Sequence, residues 1–243
     1  MSGHSKWSTI KRKKGALDQK RGKIFSSVGR EITISARLLG GDIEANARLR
    51  QAVKKAKSIN MPSANIEKAI KKGTGDLDNV TYEEASYEGY GPNGIAIFID
   101  TITDNKNRTV ADVRHVLSKF GGSLGQSGSV AWNFDRMGII LIEESVVDED
   151  KLFNLSIEND AKDFKRENGY YKLFFDHNIL YDKIELIEKI PIEIDSSFIA
   201  LIPKDFIKVS KDEGEKVEKL IDALDDLDDI QDVYSNYEIE ELS

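Results

Sequence analysis

The chain has no cysteine among its 243 residues. That single absence excludes a disulfide scaffold, a thiolate zinc site, an iron–sulfur cluster and a cysteine nucleophile. Histidine is scarce too: His4, His115 and His177 stand alone, with no i,i+4 pair and no flanking Glu to suggest a zinc helix. No apolar run approaches the roughly 18–20 residues that a membrane span needs. Met1 to Lys14 is basic and lacks the apolar segment of a secretory signal. The expectation is a soluble cytoplasmic protein with no membrane partner, cofactor, metal or small-molecule substrate.

Catalytic motifs are equally thin. Gly121-Gly122-Ser123-Leu124-Gly125 formally matches a nucleophile elbow. It follows a helical pattern and precedes a strand pattern, the reverse of what an elbow requires. No Gly-Lys-Ser/Thr follows it, so it is not a phosphate-binding P-loop. The acidic run Asp222 to Asp232 lacks the sixth-position glycine of a calcium loop, and Leu224 and Leu227 continue a helical stripe, so it reads as a solvated helix face. Asn107-Arg108-Thr109 matches a glycosylation acceptor, which means nothing without secretion. The chain reads as a non-enzyme with no catalytic residue.

What is present is charge, unevenly placed. The chain is 40% hydrophobic and 32% charged, enough apolar content for one large domain or two to three small ones. Residues 1–75 hold 18 Lys and Arg against 5 Asp and Glu, a net +13, so the rest carries −21 of the overall −8. A polyanion can therefore meet one end of the molecule while the other repels it. Nucleic acid is the partner such a division suggests.

Periodicity divides the chain further. Ile24, Phe25, Val28, Ile32, Ala36 and Leu39 follow the three-and-four spacing of an amphipathic helix that Gly40-Gly41 stops. Asp42 is placed to cap a second helix carrying Leu49, Ala52, Val53 and Ala56, and Ile66, Ala69 and Ile70 define a third, ending at Gly73. The exposed faces of this bundle are expected to show Arg30, Arg37, Arg48, Arg50, Lys54, Lys55, Lys57, Lys68, Lys71 and Lys72.

Beyond Gly73 to Asn79, where the charge changes sign, the pattern is β-rich. Strands are expected at Tyr82 to Tyr90, Ile95 to Ile99, Ser129 to Phe134 and Ile139 to Glu143, with a helix over Thr109 to Phe120. Residues 137–202 read as β-α-β-β-α-β, the ferredoxin-like order, with alternating Ile190, Ile192 and Ile194 as its last strand. The tail adds a helix, Glu213 to Leu227, and a strand, Asp232 to Tyr237. The expected fold class is α+β in three domains. These are a basic arm and three-helix domain at 1–75, an α+β domain at 80–134 plus 205–243, and an inserted α+β domain at 135–204.

The densest chemistry lies at the start. His4, Lys6, Lys11, Arg12, Lys13, Lys14, Lys20, Arg21 and Lys23 surround Trp7, with only Asp18 opposed to them. Cations neutralise phosphates and release counterions, and an exposed indole can stack on a base. Trp7 could equally anchor the arm onto a folded domain. Arg30 and Arg108 complete the candidate nucleic-acid contacts. Arg108 lies in the Thr103 to Thr109 connection from a strand to a helix, where a cation and backbone donors could hold phosphate; it could instead pair with an acid while Asp104 and Asn105 organise the turn.

At these residues the chain resembles a known family. Gly3-His4-Ser5-Lys6-Trp7, Ile10-Lys11, Lys20-Arg21-Gly22-Lys23-Ile24-Phe25 and Arg30-Glu31-Ile32 are similar to the opening of the YebC/PmpR proteins. Their eukaryotic relatives include mitochondrial translational activators of the TACO type. Asn60-Met61-Pro62, Ala69 to Gly75, Tyr87 to Pro92, Thr103-Asp104-Asn105 with Asn107-Arg108-Thr109, Gly121-Gly122, Gly128-Ser129-Val130 and Tyr234-Ser235-Asn236 continue the likeness. The middle unit, about 145–200, departs most. The resemblance implies an α-helical domain followed by two ferredoxin-like domains, one inserted in the other. It also implies a DNA-binding transcriptional regulator or, as the alternative, a ribosome-associated factor that binds rRNA or tRNA and relieves stalling on proline-rich nascent chains.

Overall fold

The structure, a computed structural model, describes residues 21–75 and 81–240. Three helices open it: α1 (Arg21–Leu39), α2 (Ala47–Ser58) and α3 (Ser63–Thr74). Their apolar stripes meet in one core of Val28, Ile32, Ala36, Leu49, Ala52, Val53, Ala56, Met61 and Ile66. Gly73 is fixed by close approach. A Cβ there would lie 2.4 Å from the Thr33 carbonyl oxygen and 2.7 Å from the Ala36 Cβ, so only glycine lets α3 pack this tightly on α1.

The cap of α2 differs from expectation. Asp42 only organises the turn, accepting from the Glu44 N–H at 2.9 Å. Asn46 is the cap: its Oδ1 accepts from the Leu49 N–H at 3.0 Å, while its Nδ2 donates to the carbonyls of Ser35 and Gly40. An aspartate could accept the first bond but could not donate the other two. A buried amide therefore ties the end of α1 to the start of α2.

The chain then divides into two compact units, Phe134–Ile202 and the remainder, the helical module included. In the larger unit, β1 (Glu83–Tyr90) and β2 (Ala96–Thr103) form a hairpin, followed by α4 (Lys106–Lys119) and the short β3 (Ser123–Leu124). After the insertion come β8 (Ile207–Val209), α7 (Lys211–Asp225), β9 (Ile230–Ser235) and β10 (Tyr237–Ile239). The main sheet has the order β3-β1-β2-β9 and is antiparallel throughout; β8 and β10 pair in parallel beside it. Helices α4 and α7 cover one face, burying Ile95, Ile97, Ile99, Val113, Leu117, Val217, Leu220 and Leu224 in a single core.

The inserted unit runs β4 (Phe134–Glu143), α5 (Glu149–Glu158), β5 (Asp163–Glu167), β6 (Tyr170–Asp176), α6 (Leu180–Glu188) and β7 (Ser196–Pro203). Its sheet order, β5-β6-β4-β7, is that of a ferredoxin-like fold. The last strand is not Ile190 to Ile194. Pro191 cannot donate to a ladder, and Ile192 and Ile194 instead plug the core from an irregular segment ahead of β7. With seven helices among the described residues and mainly antiparallel sheets, the fold is α+β.

Candidate nucleic-acid interface

Most of the expected phosphate ligands lie outside the described residues: His4, Lys6, Trp7, Lys11, Arg12, Lys13, Lys14 and Lys20. Arg21 begins α1, and its side chain is likewise outside them; Lys23 is half-buried on the first turn. The remaining cations of residues 24–75 sort by type. Arginines are tied to partners within the chain, whereas most lysines face solvent.

Arg48 makes a forked pair with Glu31, 2.7 Å from Nε and 3.1 Å from Nη2, and Nη2 also reaches Glu84 at 2.6 Å. Burial opposes its charge, but the two carboxylates outweigh that and hold the guanidinium above its already high ordinary pKa. Arg50 donates to the carbonyls of Ile43 and Glu44, and Arg37 to that of Tyr82. The planar fork of arginine suits such fixed geometry better than the point charge of lysine. Lys72 is the lysine drawn inward, with its ammonium 4.6 Å from the centroid of the Tyr82 ring. Lys54, Lys55, Lys57, Lys68 and Lys71 are exposed.

Arg30 and Arg108, expected as phosphate ligands, converge on one carboxylate. Asp229 is buried between β2, α4 and the start of β9. Its Oδ2 accepts from Arg108 at 2.7 Å, the Thr109 hydroxyl at 2.7 Å and the Thr103 hydroxyl at 3.1 Å. Its Oδ1 lies 3.4 Å from Arg30 Nη2, and Arg30 Nη1 donates to the carbonyl of Asp228. Burial alone would raise the Asp229 carboxyl; Arg108, Thr109 and Thr103 overcome it and leave the pKa below the usual carboxylate range. Arg108 also pairs with Asp104 at 2.8 Å, and Asn105 caps α4 by accepting from the Arg108 N–H. The turn from Thr103 to Thr109 is thus built around an internal anion.

Asp229 corrects the expectation for the acidic tail. The run from Asp222 was expected to be a solvated face throughout, but this member turns inward with a side chain only 5% exposed. A second buried carboxylate was also missed. Glu88, on β1, accepts from the N–H groups of Gly128 at 2.7 Å and of Val130 and Ala131 at 2.8 Å. Burial would push this carboxyl up, yet the three donors prevail and lower it. They also explain why Ser129 to Asn133 is no strand: the N–H groups of Val130 and Ala131 turn toward Glu88, those of Ser129 and Asn133 donate to the carbonyls of Gln126 and Val130 instead of a ladder, and Ala131–Asn133 closes into a 3-10 turn.

Other chemistry has little support. Among the described residues there is no group of three or more His, Asp and Glu placed to hold a metal ion, and no helix long and apolar enough to cross a membrane. A polar cleft of about 260 Å³ is lined by Glu83, Thr103, Asp104, Asn105, Lys106 and Asn107, but its lysine is already paired with Glu83 at 2.5 Å. Ser123 lies on the edge strand β3, outside any strand-to-helix elbow.

Comparison with known proteins agrees with this architecture. Residues 5–76 match the family model described as the TACO1/YebC protein N-terminal domain, and residues 82–237 match that of the TACO1/YebC second and third domain. A "Probable transcriptional regulatory protein" of Syntrophus aciditrophicus is 47% identical over 243 residues, covering 99% of this chain and 97% of the relative. One of the same description from Desulforapulum autotrophicum is 50% identical over 242 residues, covering 99% and 98%. The crystal structure of a conserved hypothetical protein from Aquifex aeolicus superposes with a TM-score of 0.84 at 42% identity, covering 93% of each chain. The chain belongs to the TACO1/YebC family.

Proposed function

We propose that this protein is a nucleic-acid-binding regulator of gene expression, acting on DNA as a transcriptional regulator and catalysing no reaction. The observation that carries the reading is the +13 charge of residues 1–75 set against −21 in the remainder. Names shared by close, full-length relatives point the same way. The arm, with His4, Lys6, Lys11, Arg12, Lys13, Lys14, Lys20, Arg21 and Lys23 around Trp7, supplies the phosphate contacts. Arg30 and Arg108 act by positioning: through Asp229 they hold the basic module and the turn before α4 in place.

A second reading, a translation factor on ribosomal or transfer RNA, draws on one feature. Arg48 and Arg50, the residues of α2 suited to reading guanine, are hydrogen-bonded within the chain. Recognition by shape and phosphate needs no such reader. Polysome profiling at low and moderate salt separates the two: free protein that retains promoter fragments selectively supports transcription, and salt-resistant co-migration with ribosomes overturns it.

The arm carries its own test. Replacing Lys11, Arg12, Lys13 and Lys14 with Gln is expected to flatten the dependence of log affinity on log salt by up to about three to four units on duplex DNA, at about 0.9 for each phosphate no longer neutralised. The weakening should be nearly uniform across sequences. An unchanged slope would remove the arm from the interface. Trp7→Ala should cost about 1–3 kcal/mol of binding with folding intact if the indole stacks on a base.

A further inference from the structure

We propose that the exposed lysine flanks of α2 and α3 form a second contact surface, and that it grips the phosphate backbone of a double helix rather than a single strand. The inference rests on the functional reading above and names its partner more closely. Lys54 and Lys57 are three residues apart on α2, and Lys68 and Lys71 three apart on α3. Residues so spaced lie side by side on one helix flank. All four are exposed, while the apolar stripes of both helices turn inward onto α1. Exposed acids in this module are Asp42, Glu44 and Glu67, fewer than the lysines, so a net positive field remains.

Three features select a duplex backbone as the occupant. Residues 47–74 contain no Phe, Tyr or Trp, so the face has no platform on which unstacked bases could rest. Its arginines, Arg48 and Arg50, are engaged by Glu31, Glu84 and backbone carbonyls, which withholds the forked donors that read guanine. What remains is a set of compact ammonium groups on two rigid helices held by one core, suited to a fixed array of phosphates. The surface is blind to sequence. Any selectivity comes from elsewhere in the chain, and simultaneous engagement with the arm raises affinity through effective concentration.

Salt titrations with the full chain test this, using a 20-base-pair DNA duplex, an RNA duplex of the same length and either strand alone. The K54Q/K57Q/K68Q/K71Q variant should lose up to about three to four units of slope on a duplex, at about 0.9 per phosphate neutralised. A control, K211Q/K216Q/K219Q on exposed positions of the acidic half, should keep the slope of the unaltered chain. The pairs K54Q/K57Q and K68Q/K71Q, made separately, should each give about half the effect, which keeps the test open should the fourfold variant fold poorly. Comparable losses on both duplexes support a sequence-blind backbone grip; loss on only one assigns the surface to DNA or to RNA. Unchanged slopes alongside firm binding overturn this proposal and leave the functional reading standing. Equal or larger losses on single strands overturn the duplex assignment. Absence of salt-dependent binding by the unaltered chain overturns both.

Discussion

Asp229→Ala is expected to lower folding stability by about 3 kcal/mol, the lower end of what removing one partner from a buried ion pair costs. The substitution removes the shared partner of two guanidiniums and two hydroxyls at once, leaving Arg108 with Asp104, Arg30 with the Asp228 carbonyl and Thr109 with the Asn105 carbonyl. Thr103 and Thr109 are buried and lose their shared acceptor, and the Arg30 guanidinium is only 15% exposed. Arg108 is 46% exposed and can turn to water, which keeps the expected loss from being larger. The urea midpoint of the full chain reads the change, and a drop worth under about 1 kcal/mol would show the network to be incidental. Arg108→Gln separates the two roles weighed for that residue. If Arg108 positions the turn, the variant loses stability and keeps its salt slope; if it holds phosphate, the slope falls and stability stays.

Glu88→Gln should cost about 2–4 kcal/mol, because a hydrogen bond to a buried charge contributes about 1.5–3 kcal/mol and three donors converge here. Gln keeps the volume but offers one acceptor oxygen, and its NH2 would face an N–H group head-on. The loss should localise to Gly125 through Asn133, seen as faster amide exchange in that loop. A pH dependence follows as well. Glu88 and Asp229 both have lowered pKa values, so they contribute stability at pH above their ordinary pKa, near 4.5 and 3.8, and lose it as pH falls toward the lowered ones. Glu88→Gln should therefore flatten the acid limb of the stability curve. A limb as steep as that of the unaltered chain would contradict the assignment.

The helices and most strands were legible because periodicity reports burial directly: Val28, Ile32 and Ala36, or Val217, Leu220 and Leu224, needed only one face each. Features that failed to read were those set by tertiary partners. Ser129 to Asn133 has a strand-like look, but a carboxylate some forty residues earlier takes the N–H groups of Val130 and Ala131. Asp229 sits in a run of acids that are otherwise half-buried or exposed, and nothing local marks it as the one that four side chains will need. The same limit applied to the cations. Composition counts Arg30, Arg48 and Lys57 alike, and only the fold shows the arginines bound to carboxylates and the lysine exposed. A forked donor beside a buried acid is held by geometry, a property that charge counting does not contain.

Photo-crosslinking of the full chain to a DNA duplex, with the sites mapped by peptide mass spectrometry, tests the central claim most directly. The account predicts crosslinks within residues 1–75, on the arm and on the lysine-bearing flanks of α2 and α3, with none on α7 or in residues 134–202. Crosslinks concentrated in residues 134–202 would contradict it.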